Sequence, residues 1–133
     1  MSDVVVLVVD VANVMGSRPD GWWRDRSGAA TRLAGELAPL AGTDVPLDSA
    51  VVHLGRVVAV VEGRARTATA PPAVELLPAP ADGDSTILDV ARGLLEAGDT
   101  PLVVTADRGL RERLPAGSRV AGPGWLLRLA SEP

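Results

Sequence analysis

DVVVLVVDVAN, residues 3–13, is a nearly continuous run of valine and leucine that stops at a carboxylate, Asp10. An unbroken apolar run of this length is typical of a strand that is buried on both faces in a parallel α/β sheet. Asp10 would then lie at the carboxyl end of the strand, where open α/β sheets bind their ligands. The stretch therefore predicts a buried first strand and a functional edge of the sheet at Asp10.

Composition narrows the class of protein. The chain has 133 residues, 47% of them hydrophobic, which predicts one globular domain over residues 1–133. No apolar run approaches the ~20 residues of a membrane span, and the first residues lack the basic segment of a signal peptide. The absence of cysteine excludes disulfides and thiolate metal sites and favours a cytoplasmic protein. The net charge of -4 disfavours a nucleic-acid partner unless basic residues are gathered locally.

Strand patterns alternate with helix patterns along the chain, which predicts an α/β protein with a mainly parallel central sheet. Gly55 is predicted to divide the apolar segment 49–62 into a short piece and a strand proper. In chain order the predicted elements are the first strand, a loop at 16–26, a helix at 28–37, a turn at 43–47, a strand at 56–62, an irregular crossover at 64–72, a strand at 74–77, a helix that opens at 84–86, a strand at 101–105, a short helix at 108–114, a strand at 119–121 and a closing helix from 123.

Acidic residues recur where the predicted strands end. Asp10, Glu62 and Asp107 follow three strands, and Asp84 opens the helix that comes after another. Because the carboxyl ends of parallel strands meet at one edge, these four carboxylates are expected to converge. Carboxylates without histidine or cysteine form an oxygen-only site that suits Mg²⁺ or Mn²⁺, and a divalent cation would offset their mutual repulsion.

Each acid also has an ordinary structural interpretation. An acid directly after a strand is commonly a loop residue or a helix cap, and Asp84 is the one most easily explained as an N-cap. Glu75 and Asp82 lie near the same edge and could equally supply the fourth carboxylate. His53, the single histidine, has no paired acid nearby in the sequence and is predicted to be structural. The prediction of a site therefore rests on the joint pattern.

Eight of the 13 basic residues, all arginines, fall in predicted loops at the edge that carries the acids. A basic rim around an acidic metal centre suits a phosphodiester chain, because the rim holds backbone phosphates while the metal acts on the scissile one. Arginine also favours surface loops in general. Trp22 is predicted to stack on an unpaired base, or alternatively to cap the sheet edge together with Trp23. The arginines are Arg18, Arg24, Arg26, Arg64, Arg66, Arg108, Arg111 and Arg113.

Five segments resemble the motifs of NYN domains, which belong to the PIN-like nuclease superfamily. The resemblance covers nearly the whole chain in the right order, and it is closest to short bacterial single-domain members. It implies a three-layer PIN-like fold whose central strands are ordered 3-2-1-4-5. The segments are VVDVANV (8–14), VVEG (60–63), GDSTI (83–87), VVTADR (103–108) and VAGPGWLL (120–127).

The resemblance also implies a metal-dependent ribonuclease that uses Mg²⁺ or Mn²⁺ on single-stranded or structured RNA. Asp10, Asp84 and Asp107 would be the catalytic metal ligands, and Glu62 an outer ligand. The chain departs from the family pattern at two positions that bear on the metal site: Ser85 stands where many relatives carry a second acid, and Glu62 is one methylene longer than the expected aspartate. The residues expected to orient ligands or substrate are Asn13, Thr105 and Ser85, and those expected to bind substrate are Arg18, Arg24, Arg64, Arg108 and Trp22.

Two other functions remain open from the sequence. A non-catalytic RNA-binding or protein-interaction module of the same fold is favoured by Ser85, because a missing acid weakens the metal site. A hydrolase of nucleotides or other small phosphate compounds would use the same acids. In each case the sequence predicts a cytoplasmic monomer or homodimer without a membrane partner.

Overall fold

A computed structural model describes residues 3–131 as a six-stranded sheet with helices packed against it. In chain order the elements are β1 (Asp3–Asp10), α1 (Val11–Gly16), a 3-10 helix (Trp22–Arg24), α2 (Arg26–Leu37), a 3-10 helix (Ala38–Leu40), β2 (Asp44–Leu47), β3 (Ala50–Val61), a 3-10 helix (Gly63–Thr67), β4 (Val74–Pro78), α3 (Gly83–Glu96), β5 (Pro101–Val104), α4 (Arg108–Arg113), β6 (Arg119–Ala121) and α5 (Pro123–Ser131).

β1 lies in the middle of the sheet and is buried on both faces, as the sequence predicts. It pairs in parallel with β3 on one side and with β5 on the other. Successive side chains of a strand point to opposite faces. Leu7 and Val9 accordingly belong to one apolar core, which includes residues of α1, α2 and α5, whereas Val8 belongs to a second core with α3 and with Leu110 of α4.

The sheet is mixed, which corrects the prediction of a mainly parallel one. β2 pairs antiparallel with the start of β3 where a turn was predicted at 43–47. Pro46 favours a turn, but proline is tolerated on an edge strand because its missing N–H is not needed there. The connection to β3 is the two-residue turn 48–49, in which Asp48 has a φ of 55°. Aspartate is one of the few residues that adopt this conformation readily.

The strand order also differs from the predicted one. The path through the sheet is β2-β3-β1-β5-β6, and β4 pairs with β3 in addition. The predicted order 3-2-1-4-5 contained five strands and left out β2. The long β3 accommodates both neighbours, because β2 pairs with its first residues and β4 with residues 57–61.

Gly55 does not divide β3, which is the second correction to the predicted strands. β3 is continuous, and its register with β1 shifts by one residue at Gly55. A Cβ atom at Gly55 would lie 3.0 Å from the Cγ1 of Val4, so a glycine suits this bulge. Beyond the bulge, Val60 is the partner of Asp10. The bulge therefore determines how close Glu62, two residues later, lies to the end of β1.

Short helices replace two of the predicted irregular segments. α1 begins directly after Asp10 and reaches only the first residue of the loop predicted at 16–26, which contains the 3-10 helix Trp22–Arg24. The 3-10 helix Gly63–Thr67 overlaps the start of the crossover predicted at 64–72. Elements of five or six residues contain too few apolar positions to show a helical period. No helix in residues 3–131 is long and apolar enough to cross a membrane.

Arg56 and Glu75 join β3 to β4 through two hydrogen bonds. The Nε and Nη2 atoms of Arg56 donate to the carboxylate of Glu75 at 2.9 and 2.8 Å. The guanidinium lowers the pKa of Glu75. Glu75 is thus committed to a pair between strands, and it is not among the residues that line the acidic cavity described below.

We predict that Glu75→Gln lowers the free energy of unfolding at neutral pH by about 0.5 kcal/mol, because the pair is half exposed and screened by solvent. The contribution of Glu75 is present above its unfolded-state pKa and is lost as the pH falls through its lower folded-state pKa. Urea unfolding of both proteins at neutral and acidic pH measures this. A difference that persists in acid would contradict the assignment.

Candidate functional site

A cavity of about 240 Å³ at the carboxyl edge of the sheet is lined by all four predicted acids. We call it the acid cavity. Asp10 reaches it from the end of β1, Glu62 follows β3, Asp107 follows β5, and Asp84 lies in the first turn of α3. The remaining lining residues are Ala12 and Asn13 of α1. Segments far apart in the sequence are thereby brought around one space.

Asp10 is the most buried of these acids, with 6% of its surface exposed. Its Oδ2 accepts a hydrogen bond from the Oγ1 of Thr105 at 2.9 Å, and its Oδ1 accepts one from the backbone N–H of Asn13 at 3.4 Å. Burial raises the pKa of Asp10, the two hydrogen bonds lower it, and the charges of Asp84 and Glu62 raise it further. A bound cation would relieve both the desolvation and the repulsion.

Thr105 and Asn13 connect Asp10 to the loop between β5 and α4. The fully buried hydroxyl of Thr105, which donates to Asp10, also accepts from the backbone N–H of Asp107 at 3.1 Å. The side-chain oxygen of Asn13 accepts from the backbone N–H of Ala106 at 2.8 Å. Both residues therefore hold the loop that carries Asp107 against the end of β1, an arrangement suited to orienting the two acids.

Glu62 is held by the start of α3. Its Oε2 accepts from the backbone N–H of Gly83 at 2.6 Å. A Cβ atom at Gly83 would lie 3.1 Å from the carboxyl carbon of Glu62, so the absence of a side chain permits this approach. Gly83 is a site residue that sequence reasoning missed. Its only signal is its position directly before Asp84.

Asp82, not Asp84, caps α3, which corrects the N-cap interpretation. The carboxylate of Asp82 accepts from the backbone N–H of Ser85 at 2.8 Å and from its hydroxyl at 3.1 Å. These hydrogen bonds lower the pKa of Asp82. Ser85 is thereby engaged in the helix cap, and neither residue lines the acid cavity. The expected roles of Asp82 as a ligand and of Ser85 as an orienting residue gain no support from this arrangement.

Asp84 and Asp107 each have one carboxylate oxygen committed to another group. The Oδ2 of Asp84 accepts from the Nη2 of Arg113 at 2.9 Å. The Oδ1 of Asp107 accepts from the backbone N–H of Leu110 at 3.0 Å and caps α4. The second oxygen of each carboxylate takes part in no hydrogen bond within residues 3–131.

Four carboxylates match the donor chemistry of Mg²⁺ or Mn²⁺. Within residues 3–131, however, no three His, Cys, Asp or Glu side chains stand close enough together to hold a metal ion. Asp10 is fixed by burial, whereas Asp84 and Asp107 are more exposed and have freedom to turn. Binding of an ion by three of these carboxylates therefore requires side chains to move from their present positions.

The predicted substrate-binding arginines differ in the contacts that their guanidinium groups make. Arg18 is held by Glu36 through two hydrogen bonds of 2.9 and 2.7 Å, so its charge is already paired. The guanidinium of Arg24 lies 5.8 Å from the ring centre of Trp23. Arg64 and Arg108 are exposed and have no ion pair in the part of the chain that the structure describes. These last two remain available to a phosphate.

Trp22 lines a second cavity of about 390 Å³, which we call the tryptophan cavity. It adjoins the acid cavity, since Ala12 and Glu62 line both. The guanidinium of Arg26 lies over the Trp22 ring, 5.3 Å from its centre. Trp23 meets Trp22 edge to face and is 54% exposed. The other lining residues are Met15, Gly63, Ala65, Ala81 and Asp82.

Comparison with known proteins identifies a shared fold. No family model matches the chain, and no curated protein matches it. A crystal structure of a point mutant of Rae1 (YacP) from Bacillus subtilis superposes with a TM-score of 0.73, over 96% of this chain and 74% of that one. A second crystal structure of Rae1 (YacP) gives a TM-score of 0.66 over 94% and 72%. Both are 21% identical, so the NYN assignment itself stays a prediction.

We predict that Asp10→Asn raises the free energy of unfolding at neutral pH in the absence of divalent cations. The substitution removes a buried charge beside the carboxylates of Asp84 and Glu62, while an amide can still pair with Thr105 and Asn13. Thermal unfolding in a chelator measures the effect, with Asp89→Asn on the exposed face of α3 as the control. A lower melting temperature for Asp10→Asn would show that its hydrogen bonds outweigh the charge burial.

Proposed function

We propose that the protein is a metal-dependent ribonuclease of the PIN-like fold, which hydrolyses phosphodiester bonds in RNA. The observation that carries the proposal is the acid cavity, in which carboxylates from four separate segments line one space. The resemblance of five segments to NYN motifs and the fold shared with Rae1 (YacP) support it.

The proposed cofactor is Mg²⁺ or Mn²⁺, held by Asp10, Asp84 and Asp107, with Glu62 as an outer ligand. When bound, such an ion activates water and stabilises the charge on the phosphate. Asp10 is the most buried of these carboxylates, and Thr105 and Asn13 hold it in position.

The basic residues near the acid cavity are proposed to bind the RNA backbone. Arg64 follows Glu62 by two residues, and Arg108 follows Asp107 directly. Exposed arginines beside an acidic site counter the repulsion between the carboxylates and an incoming phosphate. These local positive charges would attract the RNA backbone even though the net charge of -4 by itself disfavours binding of nucleic acid.

Purified protein is expected to cut RNA in the presence of Mn²⁺, and Asp10→Asn and Asp107→Asn each to lose more than about 100-fold in rate, since each removes a ligand oxygen. Asp89→Asn is the matched control, because Asp89 pairs with Arg92 within α3 and lines neither cavity. Cleavage by wild type and by both variants at one rate would reveal a contaminating nuclease and overturn the proposal.

A second candidate is an RNA-binding or protein-interaction module of the same fold without catalysis. Two observations favour it: Asp84 is paired with Arg113, and no three acids in residues 3–131 stand close enough together to hold an ion. Calorimetry separates the two functions. Retained RNA binding without any binding of Mn²⁺ would favour the module, whereas binding of Mn²⁺ that depends on Asp10 would favour the enzyme.

We further predict that Arg113→Gln tightens binding of Mn²⁺ about 1.4- to fivefold, because an exposed ion pair of this kind is worth about 0.2–1 kcal/mol and competes with the metal for Asp84. Arg92→Gln removes the comparable pair with Asp89 and is expected to leave the affinity unchanged. Equal tightening by both variants would indicate a general effect of charge.

A further inference from the structure

We propose that the tryptophan cavity is a subsite for one unpaired nucleobase of the RNA strand, next to the phosphate at the acid cavity. The identity of the strand rests on the proposed function. Binding of the base does not, because the tryptophan cavity has its own shape and lining. Three features of the described residues support the inference: the lining of the cavity, its continuity with the acid cavity, and the distribution of charge around it.

The lining suits a flat, largely apolar group. The indole of Trp22 forms one wall, and the side chains of Met15 and Ala65 are buried beside it. The volume of about 390 Å³ lies within the range of ~300–1,000 Å³ that is usual for small-molecule sites. The acid cavity, in contrast, is smaller and is lined by four carboxylates.

Trp22 is held in a defined position. It packs against the apolar core that includes α1 and α2, its ring plane lies at 89° to that of Trp23, and the guanidinium of Arg26 lies over its ring. A ring fixed in advance loses little entropy when a base stacks on it, and stacking tolerates every base because each has a π-face. Arg26 can add a cation–π contribution to the same stack.

The two cavities form one path. Ala12 and Glu62 line both, so a group in the tryptophan cavity is a direct neighbour of a group in the acid cavity. In a nucleic acid each phosphate joins two sugars, and each of these sugars carries a base. A strand whose phosphate reaches Asp10 can therefore place an adjacent base against Trp22.

Charge decides which part of a nucleotide enters the tryptophan cavity. Glu62, Asp82 and Arg26 all line the cavity, and the two carboxylates outnumber the one guanidinium, so that the lining disfavours a phosphate. The same carboxylates accept hydrogen bonds from the N–H groups of a base. The occupant is accordingly the uncharged base, with its phosphate outside this cavity.

The test measures binding of a fluorescently labelled single-stranded RNA hexanucleotide in Ca²⁺, an oxygen-liganded cation that offsets the charge of the acid cavity, and gel electrophoresis checks that the strand stays intact. Trp22→Ala is expected to weaken binding about tenfold, which is within the range for loss of one stacked base. Trp125→Ala is the matched control, because Trp125 lies on α5 and does not line the cavity, and it is expected to bind as wild type does. Equal affinities for the two variants, or no binding by wild type, would overturn the inference.

A second variant keeps the test independent of any loss of folding in Trp22→Ala. Ala81 is exposed and lines the cavity, so Ala81→Phe fills the space without disturbing the core. It is expected to weaken binding by a similar factor. Ala97→Phe, at the exposed opposite end of α3, is expected to have no effect. Full binding by Ala81→Phe would show that the cavity is not used.

Removal of one base at a time from the hexanucleotide shows whether Trp22 contacts a base. One abasic position is expected to weaken binding to wild type about tenfold but to cause no further loss with Trp22→Ala. Equal losses with both proteins would overturn the inference. Cleavage assays separate this result from the proposed function. If binding depends on Trp22 but the RNA is not cleaved, only the proposed ribonuclease activity is refuted. If the RNA is cleaved but binding does not depend on Trp22, only the base subsite is refuted.

Discussion

The hydrogen bond between the hydroxyl of Thr105 and the buried carboxylate of Asp10 connects the two central strands at their functional ends. The same hydroxyl accepts from the N–H of Asp107, and Asn13 holds the neighbouring backbone at Ala106. A buried carboxylate without such donors would be strongly destabilising. Through Thr105, the carboxylate of Asp10 therefore positions the loop after β5 that carries Asp107. This contact sets the geometry of the acid cavity.

The remaining acids are arranged with more freedom, and this difference bears on function. Asp10 has no room to move, whereas Asp84 is tied only to the exposed side chain of Arg113 and Asp107 caps a short helix. Asp10 and Glu62 are the carboxylates of the acid cavity that hydrogen bonds to neighbouring segments hold in place, and they would be the preformed part of a metal site. The adjoining tryptophan cavity adds an apolar wall beside the charged acid cavity. The two cavities together suit a ligand in which phosphates alternate with bases.

Much of the candidate site could be predicted from the positions at which a charged residue ends an apolar run. Such a residue marks the carboxyl end of a parallel strand, and these ends lie together at the edge where α/β sheets bind ligands. The same reasoning went wrong where local and tertiary signals compete. Pro46 favoured a turn, but the hairpin with β3 placed it on an edge strand. Asp84 fitted an N-cap as well as Asp82 did, and only the folded helix start shows which carboxylate reaches Ser85.

The sequence by itself determined the α/β class, the buried strand that ends at Asp10, and the candidate acids, because periodicity and residue chemistry are local properties of the chain. Only the tertiary structure decided that Arg18 is paired with Glu36, that Gly83 leaves room for Glu62, and that Trp22 lines a cavity beside the acids. Arg18 and Glu36 are 18 positions apart in the sequence, and Trp22 and Glu62, which line one cavity, are farther apart still. The fit of Glu62 depends on the missing side chain of Gly83. No local sequence pattern encodes contacts of either kind. The stretch that ends at Asp10 thus marks where the site lies, while its partners determine what the site can bind.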